Sequence, residues 1–152
     1  MICIKVRRAL TDSFPNVWEP PGGGVDFADR TILHGLIREV WEETGLRVKS
    51  IKQQIWADGT GQSGEQNFRG RRGEFWAKLN YVVECFTVKE LGEKEEENVD
   101  YRVVLDEEEH QDWGWFTREE MEKLPMVGEQ GKLIAGQAFV AFEEGLKRDG
   151  KL

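Results

Sequence analysis

The sequence predicts an α+β fold in which a mixed β-sheet is flanked by helices. Segments whose apolar residues alternate, as in strands, are interspersed with segments whose apolar residues recur at helical spacing. Several links between the strand segments are too short for a helical crossover, so the sheet must include antiparallel neighbours. The chain has 152 residues without a repeat or an interdomain linker, which suits one domain.

The predicted elements begin at the N-terminus. Residues 2–8 alternate between apolar and polar or small side chains, which predicts a half-buried strand. Pro20–Gly24 must be a loop, because two prolines followed by three glycines fit neither a helix nor a central strand. Apolar residues recur at helical spacing over Thr31–Thr44, and Gly45 follows where a left-handed C-cap would lie. We therefore predict a helix of about three to four turns here.

The rest of the chain is predicted to form more strands and two further helices. A capping-box pattern at Thr117–Glu120 predicts a short helix that Pro125 ends, and Leu133–Leu146 predicts an amphipathic C-terminal helix. The long loop Ala57–Gly73 contains three arginines, which form either a lid over phosphates or part of a solvated hairpin. The arginines are Arg69, Arg71 and Arg72. The further strands are expected at Val48–Trp56, Phe75–Val88, Tyr101–Leu105 and Trp113–Phe116.

The charge of the chain argues against one class of partner. Lys and Arg number 21 against 29 Asp and Glu, which gives a formal net charge of −8 and a pI near 4.9. Binding a nucleic-acid backbone rewards clustered Lys and Arg, so we predict no polymeric nucleic acid as a partner. No apolar run approaches the roughly 18 residues of a membrane span, and residues 1–10 do not form a signal-peptide block. We expect a cytoplasmic protein without a membrane partner.

Three carboxylates share one edge of the helix predicted at Thr31–Thr44. Glu39, Glu42 and Glu43 lie at helical spacings of three and four, where like charges repel by a few tenths of a kcal/mol. A cation bound among them explains the cluster, and oxygen ligands indicate Mg²⁺ or Mn²⁺. A solvated acidic face is the alternative. The apolar residues of the adjacent arc should face the core, and they are Leu33, Leu36, Ile37 and Val40.

This helix and the loop before it resemble a known family. Pro21–Gly23 and Arg38–Leu46 are similar to the Nudix box, G-x5-E-x7-R-E-U-x-E-E-x-G-U, in which U is a bulky apolar residue. The second half of the pattern matches at every specified position. Weaker similarity at Trp18–Glu19 and at Glu109–His110 extends the resemblance over most of the chain. It implies a single Nudix domain over residues 1–152 with the Nudix fold, an α/β/α sandwich.

The first half of the box departs from the pattern. Counting back from Arg38 places Arg30 at the box glutamate and Gly24 at the box glycine. If Gly23 is the box glycine instead, Asp29 takes the acidic position, with one extra residue before Arg38. In the family this glutamate helps to orient the box arginine. Arg30 cannot do so, whereas Asp29 could after a local adjustment.

The N-terminus departs from the family as well. Members usually have a further strand before the one that corresponds to residues 2–8. A truncated chain, a strand supplied differently and a strand borrowed from a partner are the open alternatives. An exposed sheet edge of this kind would favour a homodimer.

The resemblance implies a pyrophosphohydrolase that cleaves a nucleoside diphosphate linked to another moiety, by attack of water on phosphorus. Glu39, Glu42 and Glu43 would hold Mg²⁺ or Mn²⁺, which binds the anionic substrate and activates the water. Arg38 would act structurally and electrostatically, and Glu42 is a catalytic candidate as well as a metal ligand. The general base would be Glu39 or a carboxylate outside the box, of which Glu109 is favoured.

Substrate binding is assigned to the loop and to the first strand. The backbone of Gly22, Gly23 and Gly24 would approach the metal or phosphate where a side chain could not, and Arg8 is a further candidate for binding the small nucleotide-diphosphate substrate. The choice among nucleotide sugars, ADP-ribose, dinucleotides and oxidised nucleoside triphosphates stays open. The alternative function, motivated by Arg30 and the N-terminus, is a catalytically weak Nudix-fold nucleotide-binding or regulatory module.

The histidines and tryptophans support weaker predictions. His34 and His110 are interpreted as ordinary surface or partly buried residues. Trp41 and Trp115 are assigned to the core. The tryptophans kept as candidates for stacking on a base are Trp56, Trp76 and Trp113.

Overall fold

The computed structural model describes residues 3–8, 15–55, 66–69, 73–93, 100–126, 128–148 and 150, with the backbone alone for 3–8, 66–69, 128–131 and 135. Seven strands and three helices lie within these residues. In chain order they are β1 (Cys3–Arg8), β2 (Trp18–Glu19), α1 (Ile32–Thr44), β3 (Val48–Ile55), β4 (Gln66–Arg69), β5 (Phe75–Lys78), β6 (Asn80–Cys85), β7 (His110–Phe116), α2 (Arg118–Met121) and α3 (Gly128–Arg148).

The strands form three described sheets with the orders β2-β1-β7, β3-β6 and β4-β5. Every ladder in them is antiparallel. A single isolated bridge, between Trp18 and Met126, is parallel among the described residues. The α+β class predicted from the sequence is confirmed.

Two of the strand predictions are wrong, one in its extent and one altogether. The strand predicted at Phe75–Val88 is two strands, β5 and β6, because β5 pairs with β4 whereas β6 pairs with β3. The predicted strand at Tyr101–Leu105 is absent, and no described ladder includes these residues. The Val104 N–H donates to the Thr44 carbonyl at 2.8 Å, which attaches this segment to the end of α1.

The loop predicted at Ala57–Gly73 contains part of a hairpin. Its residues 66–69 form β4, in which Arg69 is the Cα partner of Phe75. Arg71 and Arg72 lie outside the described residues, as does the Arg69 side chain. The lid interpretation therefore stays a prediction.

The main buried cluster lies between β7 and the C-terminal helices. Met121, Met126 and Phe139 are buried there, and Phe116 packs against them from β7. Thr117 caps α2 with a complete capping box, as the sequence predicted. Among the described residues, no helix has both the length and the apolar content that a membrane crossing needs.

Helix α1 buries a different side from the one that the sequence predicted. Val40 is buried, but Leu33, Ile37 and Trp41 are 40–48% exposed, so their assignment to the core is wrong. The reason is that these three residues, spaced by four, form one stripe, whereas the helix turns a neighbouring stripe with Glu43 inwards. Trp115 is half-buried and packs against Tyr101, with ring centroids 5.1 Å apart.

The end of α1 offers a stability test. Gly45 has φ 68°, and a Cβ there would lie 3.2 Å from the Val104 Cβ. Gly45→Ala should therefore lower the free energy of unfolding by about 1–2 kcal/mol, measured by urea denaturation. Gly136→Ala in α3 is the matched control, because a Cβ there meets no described atom within 4 Å and alanine favours a helix. Equal effects of the two substitutions would contradict the assignment of strain to Gly45.

Candidate metal centre

The loop that precedes α1 lies against one stripe of the helix. Gly22 donates its N–H to Glu43 Oε2 at 2.8 Å. One turn earlier, a Cβ on Gly23 would lie 2.5 Å from Glu39 Oε2, and another turn earlier a Cβ on Gly35 would lie 3.0 Å from Asp29 Oδ2. Glycine at positions 23 and 35 thus lets the backbone and the carboxylates come this close. The loop covers the stripe of α1 that carries Glu39 and Glu43, whereas the Glu42 side chain is 52% exposed.

Arg38 connects the carboxylates of the loop and the helix. Its Nη1 donates to Glu39 Oε1 at 2.9 Å and to Glu42 Oε2 at 2.7 Å. On its other side, Nε and Nη2 donate to the two oxygens of Asp29, at 3.2 and 2.9 Å. Nη2 also donates to the Gly24 carbonyl at 2.7 Å. One guanidinium fork therefore orients two of the predicted metal ligands.

The structure distinguishes the two alignments of the first half of the box. Asp29 pairs with Arg38 and is nearly buried, whereas Arg30 is exposed. The hydrogen bond from Arg38 holds the pKa of the Asp29 carboxyl below its usual value. The local adjustment is a turn in which the Asp26 carbonyl accepts from the Asp29 N–H at 3.0 Å. Asp29 thus orients the box arginine.

Glu43 lies at the centre of the acidic group. It is 6% exposed. Burial raises the pKa of its carboxyl to about 8; the Gly22 N–H opposes this rise, and the charges of Glu19, Glu39 and Glu109 add to it. A carboxylate buried among like charges is a position that a cation stabilises.

The turn before β7 brings two more groups to Glu43. Ligand atoms of Glu43, Glu109 and His110 all lie within 4.8 Å of one another, which makes them a possible metal site. His110 Nε2 is 3.9 Å from Glu43 Oε1 and 4.0 Å from Glu19 Oε1. The interpretation of His110 as a surface or partly buried histidine is wrong, because it is 4% exposed and faces this cluster. His34 is exposed, as predicted.

The predicted site residues thus come together to different degrees. The group formed by Glu39, Glu42, Glu43 and Arg38 is contiguous, and Glu109 reaches it from another element. The backbones of Gly22–Gly24 contact the helix carboxylates and Arg38, so these glycines shape the acidic group. Arg8 is the Cα partner of His110, but its side chain lies outside the described residues.

The sequence interpretation assigned no role to Glu19 or His110. Both belong to the weaker segments of resemblance, Trp18–Glu19 and Glu109–His110, and that was the signal that could have found them. The chemistry of the assembled group fits a metal. Carboxylate oxygens dominate it, and Arg38 pairs with Glu39 and Glu42.

Comparison with known proteins agrees with this geometry. A family model described as the NUDIX domain matches residues 3–137. The m7GpppN-mRNA hydrolase NUDT17 of Xenopus laevis is 53% identical over 45 residues, which are 30% of this chain and 15% of that protein. The chain therefore matches only about a seventh of the length of that relative.

Two solved structures share the fold. The MutT NUDIX hydrolase from Burkholderia pseudomallei aligns with a TM-score of 0.59 and 16% identity, over 90% of this chain and 87% of that one. The NUDIX domain of Shewanella oneidensis NrtR complexed with ADP ribose aligns with a TM-score of 0.52 and 16% identity, over 95% and 77%. The chain belongs to the Nudix family, as its sequence predicted.

Proposed function

We propose that the protein is a metal-dependent pyrophosphohydrolase that cleaves a nucleoside diphosphate linked to another moiety. The observation that supports this most is the buried carboxylate of Glu43 inside a group of further carboxylates that Arg38 holds in place. Such a group cannot attract a pyrophosphate by itself, because both are anionic. It can do so once a divalent cation lies between them.

In this proposal Glu39, Glu42 and Glu43 hold Mg²⁺ or Mn²⁺. The bound ion supplies positive charge for the pyrophosphate and lowers the pKa of an attacking water. Arg38 keeps Glu39 and Glu42 oriented through its two Nη1 hydrogen bonds. Glu109 is exposed at the edge of the cluster, so it can take a proton from water and pass it to solvent.

The alternative of a catalytically weak binding module depends in part on Arg30 at the acidic position of the box. Asp29 fills that role towards Arg38, at 2.9 and 3.2 Å. The orientation of the carboxylates on α1 therefore does not depend on Arg30. Hydrolysis is the function that the site supports best.

A substrate panel tests the proposal. ADP-ribose belongs in it because a structural neighbour is complexed with that compound, and an m7GpppN cap analogue belongs in it because a relative is named for it. Nucleotide sugars, dinucleotides and oxidised nucleoside triphosphates complete it. We expect release of a nucleoside monophosphate from at least one compound with Mg²⁺ or Mn²⁺, and none after chelation with EDTA. Binding of a nucleotide without any product in excess metal would favour the binding module.

A further inference from the structure

Glu43, Glu109 and His110 form the candidate metal site, here called the metal cluster. A β-bulge places His110 of this cluster and an exposed tryptophan on the same face of a sheet. Arg8 is the partner of His110 and Arg7 is the partner of Asp112, so Gln111 is an extra residue in β7. Without it, His110 and Trp113 would point to opposite faces, because their separation is odd. With Gln111 inserted, Trp113 pairs with Val6 and His110 pairs with Arg8. Val6 and Arg8 are two residues apart in β1, so Trp113 and His110 share one face.

A second strand confirms which face this is. Val6 of β1 is the Cα partner of Glu19 on one side and of Trp113 on the other, so these two residues lie side by side across β1. Glu19 Oε1 is 4.0 Å from His110 Nε2. The face that carries Trp113 is therefore the face on which the metal cluster is built.

A cleft lies between this face and the segment 103–105. Its volume is about 600 Å³, which is within the range of small-molecule sites. His110 lines it, so the cleft adjoins the cluster with Glu43 and Glu109. Trp113 also lines it and is 38% exposed, whereas Trp115 on the same face packs against Tyr101.

We propose that this cleft binds the nucleoside of the substrate, with the base stacked on the Trp113 indole. Glu107 lines the same cleft, and its negative charge disfavours phosphate there, which assigns the pyrophosphate to the metal cluster. The Glu107 carboxylate can accept hydrogen bonds from the N–H groups of a base. An exposed indole beside acceptors suits a planar base, because every base presents a π-face. The inference rests on the proposed function, because the nucleoside in the cleft belongs to the substrate whose pyrophosphate binds at the metal cluster.

Calorimetric titration with AMP, GMP and inorganic pyrophosphate, in saturating Mg²⁺, tests the assignment without depending on turnover. Trp113→Ala should weaken AMP or GMP binding about tenfold or more, since loss of base stacking has effects of that size. Pyrophosphate binding should be unchanged, because that ligand needs only the metal cluster. Trp113→Phe should restore most of the affinity for the nucleotide.

Trp76→Ala is the matched control. Trp76 is 46% exposed on β5, in a sheet that does not contain β7, and it does not line the cleft. Its replacement should leave the dissociation constants unchanged. If Trp113→Ala has no effect on nucleotide binding, or weakens pyrophosphate binding equally, the inference is wrong.

Failure of this inference is distinguishable from failure of the proposed function. If the substrate panel is hydrolysed but Trp113→Ala leaves both KM and nucleotide affinity unchanged, the function stands and the cleft assignment is wrong. If no compound is hydrolysed but nucleotide binding depends on Trp113, the cleft assignment stands and the proposed hydrolysis is wrong. For a hydrolysed compound, we expect Trp113→Ala to raise KM more than it lowers kcat.

Discussion

Glu43→Gln should reduce metal-dependent hydrolysis by about a hundredfold or more, since even loss of a residue that orients a ligand costs 10- to 100-fold. The same substitution should raise the stability of the metal-free protein at pH 8. Both effects have one cause in the proposed site, where Glu43 is buried and its charged form would be stabilised by the bound cation. An inactive variant that is more stable is the signature of a residue retained for binding a metal.

The pH dependence of that stability has a definite direction. Burial raises the pKa of Glu43 to about 8 in the folded protein, against the ordinary value of 4.5 for a glutamate. Between these values the folded state holds a proton that the unfolded state has lost. The contribution is therefore fully present below about pH 4.5, declines as pH rises, and is lost above about pH 8. Each pH unit of this window should lower the free energy of unfolding by up to about 1.4 kcal/mol.

Urea denaturation in EDTA at pH 5 and pH 8 measures the decline, and it should be smaller in Glu43→Gln. Added Mg²⁺ should release a proton from the wild-type protein at pH 7, which calorimetry in buffers of different ionisation enthalpy detects. Glu119→Gln is the control, because Glu119 is exposed at the start of α2. Unchanged hydrolysis by Glu43→Gln would contradict the proposed site.

Arg38→Lys should lower kcat by about 10- to 100-fold, the range found when a residue that orients metal ligands is lost. Lysine keeps the positive charge but cannot donate in a fork to Asp29, Glu39 and Glu42 at once. Asp29→Asn should act in the same direction by a smaller factor, because the amide keeps one acceptor for Arg38. Metal affinity and kcat are the two quantities to measure.

The variants Arg38→Lys and Asp29→Asn together also test which residue fills the acidic position of the box. Since Asp29 acts through Arg38, the double variant should lose less activity than the product of the single losses. Arg30→Ala is the matched control, because Arg30 is exposed and should be dispensable for hydrolysis. A loss with Arg30→Ala as large as with Asp29→Asn would contradict the role of Asp29.

The local elements could be predicted because their signals are local. Gly45 ends α1 in the left-handed conformation, as the sequence predicted, and Thr31 caps its start. The capping box at Thr117 and the C-terminal helix followed from the same kind of pattern. Strand partners could not be predicted in this way, so the apolar run over Phe75–Val88 did not reveal its division between two sheets.

The rotation of α1 depended on the loop before it. Leu33, Ile37 and Trp41 form an apolar stripe by sequence, yet the stripe with Gly35, Glu39 and Glu43 is the one that the loop covers. Hydrophobic periodicity predicts which residues share a side but not which of two adjacent sides is covered.

By itself, the sequence determined the fold class, the limits of α1 and the family, because helix caps, periodicity and box spacing are properties of consecutive residues. Only the tertiary structure decided that Asp29 supports Arg38 and that His110 joins Glu43 and Glu109. It also showed that the bulge at Gln111 aligns His110 with Trp113. One extra residue in a loop or in a strand changes the direction in which the neighbouring side chains point. Neither kind of insertion has a strong signal in the order of the residues.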